Sequence, residues 1–279
     1  MGVPSEYKIG KCNVILRARR LVVDSLKVAY NQINFDRLNG YPSGGWSDWP
    51  DKPCIFLLSY MRSGSTLLSN LITSSDEICG FGETAIRYSV DNSYELLLDK
   101  LSASSAGASL QGASFLFDKI LHNHLGFPFY HPRFQNSRYL ILLRHPAYAL
   151  SSMMKMPRYG NVSSASVRLN INQDYLFSRL CALEFAMATY SFDFMVLSYE
   201  SLVSDSSLVL ERVSSFVGLS EVLSQDYVVD VNKMTWGVGD ASDKIKEGRI
   251  LPARTLEGQD LPPVPDRIMR VYDRLMGRI

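Results

Sequence analysis

The sequence predicts an α/β protein, a single domain whose central parallel β-sheet is flanked by helices on both faces. Three observations predict it. Short continuous apolar runs recur at Cys54–Leu58, Tyr139–Leu143 and Phe194–Leu197, and runs of this length bounded by turn residues suit strands buried on both faces. Helical periodicity separates them, over Thr66–Thr73, Ala147–Met154 and Asp174–Ser191, and strands alternating with helices are the pattern of βαβ units. Small, polar or basic residues follow the first two runs directly. That is where ligands bind in open parallel sheets, outside the carboxyl ends of the strands.

The remaining elements follow in chain order. Val14–Ile33 carries apolar residues at roughly helical spacing with Arg and Lys between them, the pattern of an amphipathic surface helix. Tyr41–Pro53 is rich in Gly, Pro and Trp and reads as a loop. Glu77–Phe81 is a candidate second strand, and Val209–Leu219 a late helix. The expected single domain covers residues 1–279: an N-terminal helix and loop over 1–50, a motif-bearing core over 53–250, and a C-terminal tail or helix over 251–279. Ser102–Ser114 and Lys155–Ser166 are rich in small and turn-forming residues. Both could cover a site, and the first reads better as an ordinary surface loop.

Composition excludes several classes. Lys and Arg number 29 against 28 Asp and Glu, so no global field holds nucleic acid or an anionic membrane. Any bound anion must be held by local residues. The four cysteines, Cys12, Cys54, Cys79 and Cys181, form no C-x-x-C pair. Neither a zinc site nor a disulfide framework is expected, and reduced thiols suit a cytoplasmic location. The N-terminal residues lack a signal-peptide layout, no apolar run reaches spanning length, and Glu6 stands where a myristoylation motif wants Ser or Thr.

The first buried run leads into Ser59-Tyr60-Met61-Arg62-Ser63-Gly64-Ser65-Thr66-Leu67. Strand, short hydroxyl-rich loop, then helix start is an anion-binding arrangement. Successive backbone N–H groups converge on one phosphate at the positive end of a helix. Gly64 lets the backbone approach closely, and Arg62 adds a fixed charge. The nucleotide triphosphatase pattern G-x-x-x-x-G-K-[ST] fails twice, since Ser59 replaces its first Gly and Ser65 its Lys. The second run leads into Arg144-His145-Pro146, with Pro146 suited to a helix first turn and Ser152 eight residues after Arg144. A phosphate near this strand end could take charge-assisted bonds from Arg144 and a hydroxyl bond from Ser152.

Together these segments resemble the sulfotransferases that use 3′-phosphoadenosine-5′-phosphosulfate (PAPS) and release 3′-phosphoadenosine-5′-phosphate (PAP). The family's 5′-phosphosulfate loop reads Tyr-Pro-Lys/Arg-Ser-Gly-Thr/Ser-Thr, and here only Met61 departs from it. Its 3′-phosphate motif is Leu/Val-Arg-x-Pro with Ser eight residues on, as at Arg144 and Ser152. The resemblance implies a donor site of Arg62, Ser63, Gly64, Ser65, Thr66, Leu67, Arg144 and Ser152. Tyr199, in Tyr199-Glu200-Ser201-Leu202, matches a tyrosine near the adenine, and Ser201 replaces the usual Asp. Trp236–Arg249 resembles the loop that closes over the nucleotide and adds Gly239 and Lys244. The closing loop looks closer to bacterial than to animal cytosolic enzymes.

Sulfuryl transfer needs an in-line acceptor, stabilisation of developing charge and a base. Two candidate bases stand in the sequence. Glu83 follows the Glu77–Phe81 stretch, where carbohydrate-type members often carry their base. His122, three residues after Lys119, is the other, although cytosolic phenol and steroid enzymes use a two-residue spacing. Lys119 is expected near the substrate, and Asp118-Lys119 resembles an Asp/Glu-Lys-Thr-Pro element of bacterial and carbohydrate enzymes. The expected reaction moves a sulfuryl group from PAPS to a hydroxyl or nitrogen of a small acceptor, such as a bacterial metabolite, alkaloid or carbohydrate. No metal, nucleic acid or membrane partner is expected. A P-loop kinase and a non-catalytic nucleotide-binding protein are the rivals.

Overall fold

In a computed structural model of the chain, the described residues are 51–156, 164–228, 247–251 and 260–279. Five strands form one parallel sheet: β1 (Cys54–Leu58), β2 (Ile78–Cys79), β3 (Phe115–Ile120), β4 (Arg138–Leu143) and β5 (Phe194–Ser198). Their order is β2-β3-β1-β4-β5. Cys54 pairs with Leu116 on one side of β1, and Phe56 with Tyr139 on the other. The chain builds outward from β1 on one side and then returns to add β4 and β5 on the other. The carboxyl end of β1, between β3 and β4, is therefore the topological switch point, where a crevice opens in such sheets.

Seven α-helices surround the sheet among the described residues: α1 (Ser65–Ile72), α2 (Ser93–Ser102), α3 (Pro146–Met154), α4 (Ala165–Thr189), α5 (Tyr199–Ser204), α6 (Ser206–Val217) and α7 (Asp266–Met276). Alternate residues of β1 enter opposite layers, as the period of a strand requires. Cys54, Phe56 and Leu58 pack with Leu97 of α2, Leu150 of α3, Leu176 and Leu180 of α4, and Val271 of α7. Ile55 and Leu57 pack with Leu68 and Leu71 of α1 and Leu210 and Val213 of α6. All five β1 side chains have no solvent exposure, and each contributes about 1.5–3 kcal/mol relative to an exposed position.

Three sequence expectations change. β3, which lies between β1 and β2, was not among the expected strands. Asp118 and Lys119 interrupt its apolar pattern, and both are nonetheless buried. α4 starts at Ala165, nine residues before the expected Asp174. Its first turns are largely exposed and alternate Val167, Leu169 and Ile171 with polar residues, which is not a helical stripe. Ser102–Ser114 is an ordered surface segment with a single 3-10 turn over Ser105–Ser109, and Ala106 is buried. The Cys79 thiol donates to the Ala106 carbonyl at 3.3 Å, holding this segment beside the edge strand β2. The expected N-terminal helix, Gly239, Lys244 and part of Lys155–Ser166 lie outside the described residues.

Candidate active site

The donor-side loop runs from Ser59 to Thr66 between β1 and α1. It makes two left-handed turns, at Arg62 (φ 64°) and Gly64 (φ 90°). Arginine rarely adopts that conformation, and such strain collects at functional loops. Gly64 is required twice over. A side chain there would be strained, and its Cβ would stand 2.2 Å from Cδ2 of Tyr199. Gly64 is also the N-cap of α1 and offers no side chain to the first turn. The N–H groups of Ser65, Thr66 and Leu67 have no intrahelical acceptor and remain available to an anion.

The second anchor meets this loop directly. Arg62 Nε donates to Ser152 Oγ at 2.8 Å, and Arg144 Nη1 donates to the Arg62 carbonyl at 3.1 Å. The Tyr60 hydroxyl accepts from Arg144 N at 2.7 Å and donates to the Arg144 carbonyl. Two motifs 82 residues apart in the chain, counted from Arg62 to Arg144, thus form one basic surface. The Arg144 guanidinium carbon lies 4.5 Å from the centre of the Tyr199 ring. Arg144 Nε is buried and has no hydrogen-bond partner in the structure. An unsatisfied charged donor of this kind fits a site meant for an anionic group. Glu200, beside Tyr199, accepts from the His145 N–H at 3.0 Å and so holds the turn after β4.

The other wall comes from β3 and the segment after β2. Lys119 Nζ stands 3.4 Å from Thr66 Oγ1 and 3.7 Å from Glu83 Oε1. A lysine does reach the phosphate-type loop, but it comes from β3 and not from the loop itself. The residue after Glu83 is held by Asp118. Thr84 donates to Asp118 through its N–H at 2.8 Å and its hydroxyl at 2.7 Å, and Lys119 N donates to the Gly82 carbonyl at 3.1 Å. Tyr88 donates its hydroxyl to the same carboxylate. Burial raises the Asp118 pKa to about 6 even though four hydrogen bonds, from Tyr88, Thr84 and Lys119, oppose the rise. His122, at the end of β3, stacks on His124 with ring centroids 5.4 Å apart and lies 5.6 Å from the Tyr175 ring.

The structure therefore gathers Arg62, Ser63, Gly64, Ser65, Thr66, Leu67, Arg144, Ser152 and Tyr199 on one side of the crevice. Glu83 and Lys119 meet this group through Thr66. His122 stands in a stacked ring pair with His124 beside Tyr175. Sequence reasoning missed Tyr60 as the tie to Arg144, Asp118 as the support of Thr84, and Tyr175 and Arg179 of α4. The Asp118-Lys119 pair was a signal for the second of these. Nothing in the α4 sequence separates a buried Arg from a surface one. Among the described residues no group of His, Cys, Asp and Glu could hold a metal, and no helix is long and apolar enough to cross a membrane.

A P-loop-like turn at the switch point of a parallel sheet defines the class: an α/β protein whose loop lacks the triphosphatase lysine. Comparison with known proteins shows what the chain resembles. A model described as "Sulfotransferase family" matches residues 88–222, which include Lys119, His122, Arg144, Ser152 and Tyr199 but not the donor-side loop. The chain resembles the sulfotransferase domain from the curacin biosynthetic pathway at 20% identity, covering 81% of this chain and 98% of that one with a TM-score of 0.59. It also resembles the sulfotransferase domain from the Synechococcus PCC 7002 olefin synthase at 17% identity, covering 85% and 98% with a TM-score of 0.54. No curated protein matches. The fold is that of the sulfotransferases, and the resemblance includes members of bacterial type.

Proposed function

We propose that this protein transfers a sulfuryl group from PAPS to a small-molecule acceptor and releases PAP. The observation that carries the reading is the joining of Arg62, Ser152 and Arg144 into one basic surface against an uncapped helix N-terminus. A donor with phosphate groups at both its 5′ and 3′ positions needs two anion sites, and a triphosphate nucleotide has no use for the second. The loop N–H groups and Arg62 suit the 5′-phosphosulfate, where they would stabilise the charge that builds on the departing phosphate. Arg144 and Ser152 suit the 3′-phosphate, and the Tyr199 ring offers the adenine a flat apolar face.

On the acceptor side, Glu83 is the proposed base and takes the acceptor proton as the sulfur–oxygen bond to the donor breaks. Lys119 lies between Glu83 and the loop. It is suited to hold the transferred group's oxygens and to orient Glu83. His122 is the alternative base. The acceptor is a hydroxyl or nitrogen compound of small size, in a biosynthetic setting like that of the curacin and olefin synthase domains. The Glu83–Lys119 contact beside Thr66 is what supports Glu83 as the first candidate.

The test is calorimetric titration of the purified chain with PAP, with ATP and ADP as controls. Tight PAP binding with weak ATP binding is expected. Equal affinity for ATP would remove the 3′-phosphate site and restore the kinase reading. PAP binding without turnover across an acceptor panel would favour the non-catalytic rival.

A further inference from the structure

The loop that carries Arg62 and the segment that follows Lys119 belong to different βα connections. Something must fix their separation, because in-line transfer tolerates little misplacement. Helix α4 lies across both. The Tyr175 hydroxyl accepts from the Met61 N–H at 3.0 Å and donates to the Leu121 carbonyl at 3.0 Å. One turn later, Arg179 Nε donates to the Ser59 carbonyl at 2.8 Å and Nη2 to the Ile120 carbonyl at 2.6 Å. Its Nη1 donates to Asn123 Oδ1 at 3.0 Å, and the guanidinium lies 4.9 Å from the centre of the Phe127 ring.

Each of the two side chains therefore bonds both to the donor loop and to the β3 exit, Tyr175 once to each and Arg179 once to the loop and twice to the β3 side. We infer that Tyr175 and Arg179 are positioning residues, a two-pronged clamp through which α4 sets the donor loop against the acceptor wall. The inference rests on the function proposed above.

Ordinary packing does not account for the arrangement. Arg179 has no solvent exposure. Burial lowers its pKa to about 10, so it stays charged at neutral pH. Its hydrogen bonds go to two backbone carbonyls and an amide oxygen, with no carboxylate among them. A buried cation without a counter-ion is costly, and an apolar residue would fill the same volume at less cost. What the guanidinium adds is a planar fork that reaches two strand ends at once, which a lysine cannot reproduce in full. The spacing of four residues puts Tyr175 and Arg179 on one face of α4.

The test uses the full chain as wild type, Tyr175→Phe, Arg179→Lys and Asp174→Asn. Asp174 is the neighbouring residue, exposed and paired with Arg267. Hydrogen exchange is read over residues 59–64, 120–124 and 194–217, and PAP affinity by calorimetry. Tyr175→Phe removes only the hydroxyl shared by the two bonds and keeps the ring. In it, exchange should rise in the first two segments and not in the third, and PAP should bind about tenfold more weakly because the loop is misplaced. Arg179→Lys should do the same to a lesser degree, and Asp174→Asn should match wild type. Unchanged exchange in either segment overturns the clamp. A uniform rise that includes 194–217, or raised exchange with wild-type PAP affinity, overturns it as well, by showing a general structural role. If wild type binds no PAP, the functional proposal fails, and the exchange data alone then decide the clamp.

Discussion

The two walls of the crevice are built on opposite plans. The donor wall is basic and made largely of backbone: left-handed turns at Arg62 and Gly64, the open N-terminus of α1, and Arg62 tied to Ser152. The acceptor wall has mixed charge and is made of side chains: Glu83 against Lys119, with Asp118 buried behind them and bonded to Thr84 and Tyr88. The donor's chemistry is fixed, so its site needs loop geometry that only a few residue types allow. In the proposed reading the acceptor wall holds a carboxylate 3.7 Å from a cation, and Asp118 orders the adjoining Thr84. The comparison teaches that the donor wall should fail by losing affinity and the acceptor wall by losing rate.

The sharpest way to break that contrast is Glu83→Gln. Turnover with PAPS should fall by about a hundredfold to ten-thousandfold, the usual worth of a positioned base, while PAP affinity stays within a few-fold of wild type. Wild-type turnover in this variant would move the base to His122. The mirror experiment is Arg144→Ala. It should weaken PAP binding by about 1.5–3 kcal/mol for a lost charge-assisted contact, read by calorimetry. Unchanged affinity would take Arg144 out of the site and leave the second anion position unexplained.

The smallest effect concerns pH. The folded-state pKa of Asp118 is raised from 3.8 to about 6 by burial. The folded state therefore binds this proton more tightly than the unfolded chain does. Between about pH 4 and 6 the Asp118 contribution to stability declines as pH rises, and its cost is fully present above about pH 6. Urea midpoints at pH 4, 5, 6 and 7 should show this slope in wild type, and Asp118→Asn should flatten it. An identical profile in the variant would mean that Asp118 is not the titrating group, and would weaken its role behind Glu83.

The walls also differ in how far they could be read in advance. Ser59–Thr66 and Arg144–Ser152 are local strings that recur wherever a phosphate meets a strand end, and both stand where they were expected. Glu83 and Lys119 were named as separate candidates, but their contact depends on the pairing of β2 with β3. β3 itself was hidden because Asp118 and Lys119 break its apolar run while lying buried within it. Tyr175 and Arg179 looked like any residues of an amphipathic helix.

The sequence by itself determined the α/β layering and the donor loop, because burial on both faces and left-handed turns restrict residue type at neighbouring positions. It also determined the spacing from Arg144 to Ser152, which is set within one strand end and one helix. Only the tertiary structure decided that Lys119 meets Glu83 and Thr66, that Asp118 supports Thr84, and that α4 reaches two strand ends. Those contacts join residues 34 to 120 positions apart, counted from Asp118 and Thr84 to Arg179 and Ser59. Which side chains meet across such distances is set by strand order and helix placement, and these follow from packing the whole core rather than from any local pattern.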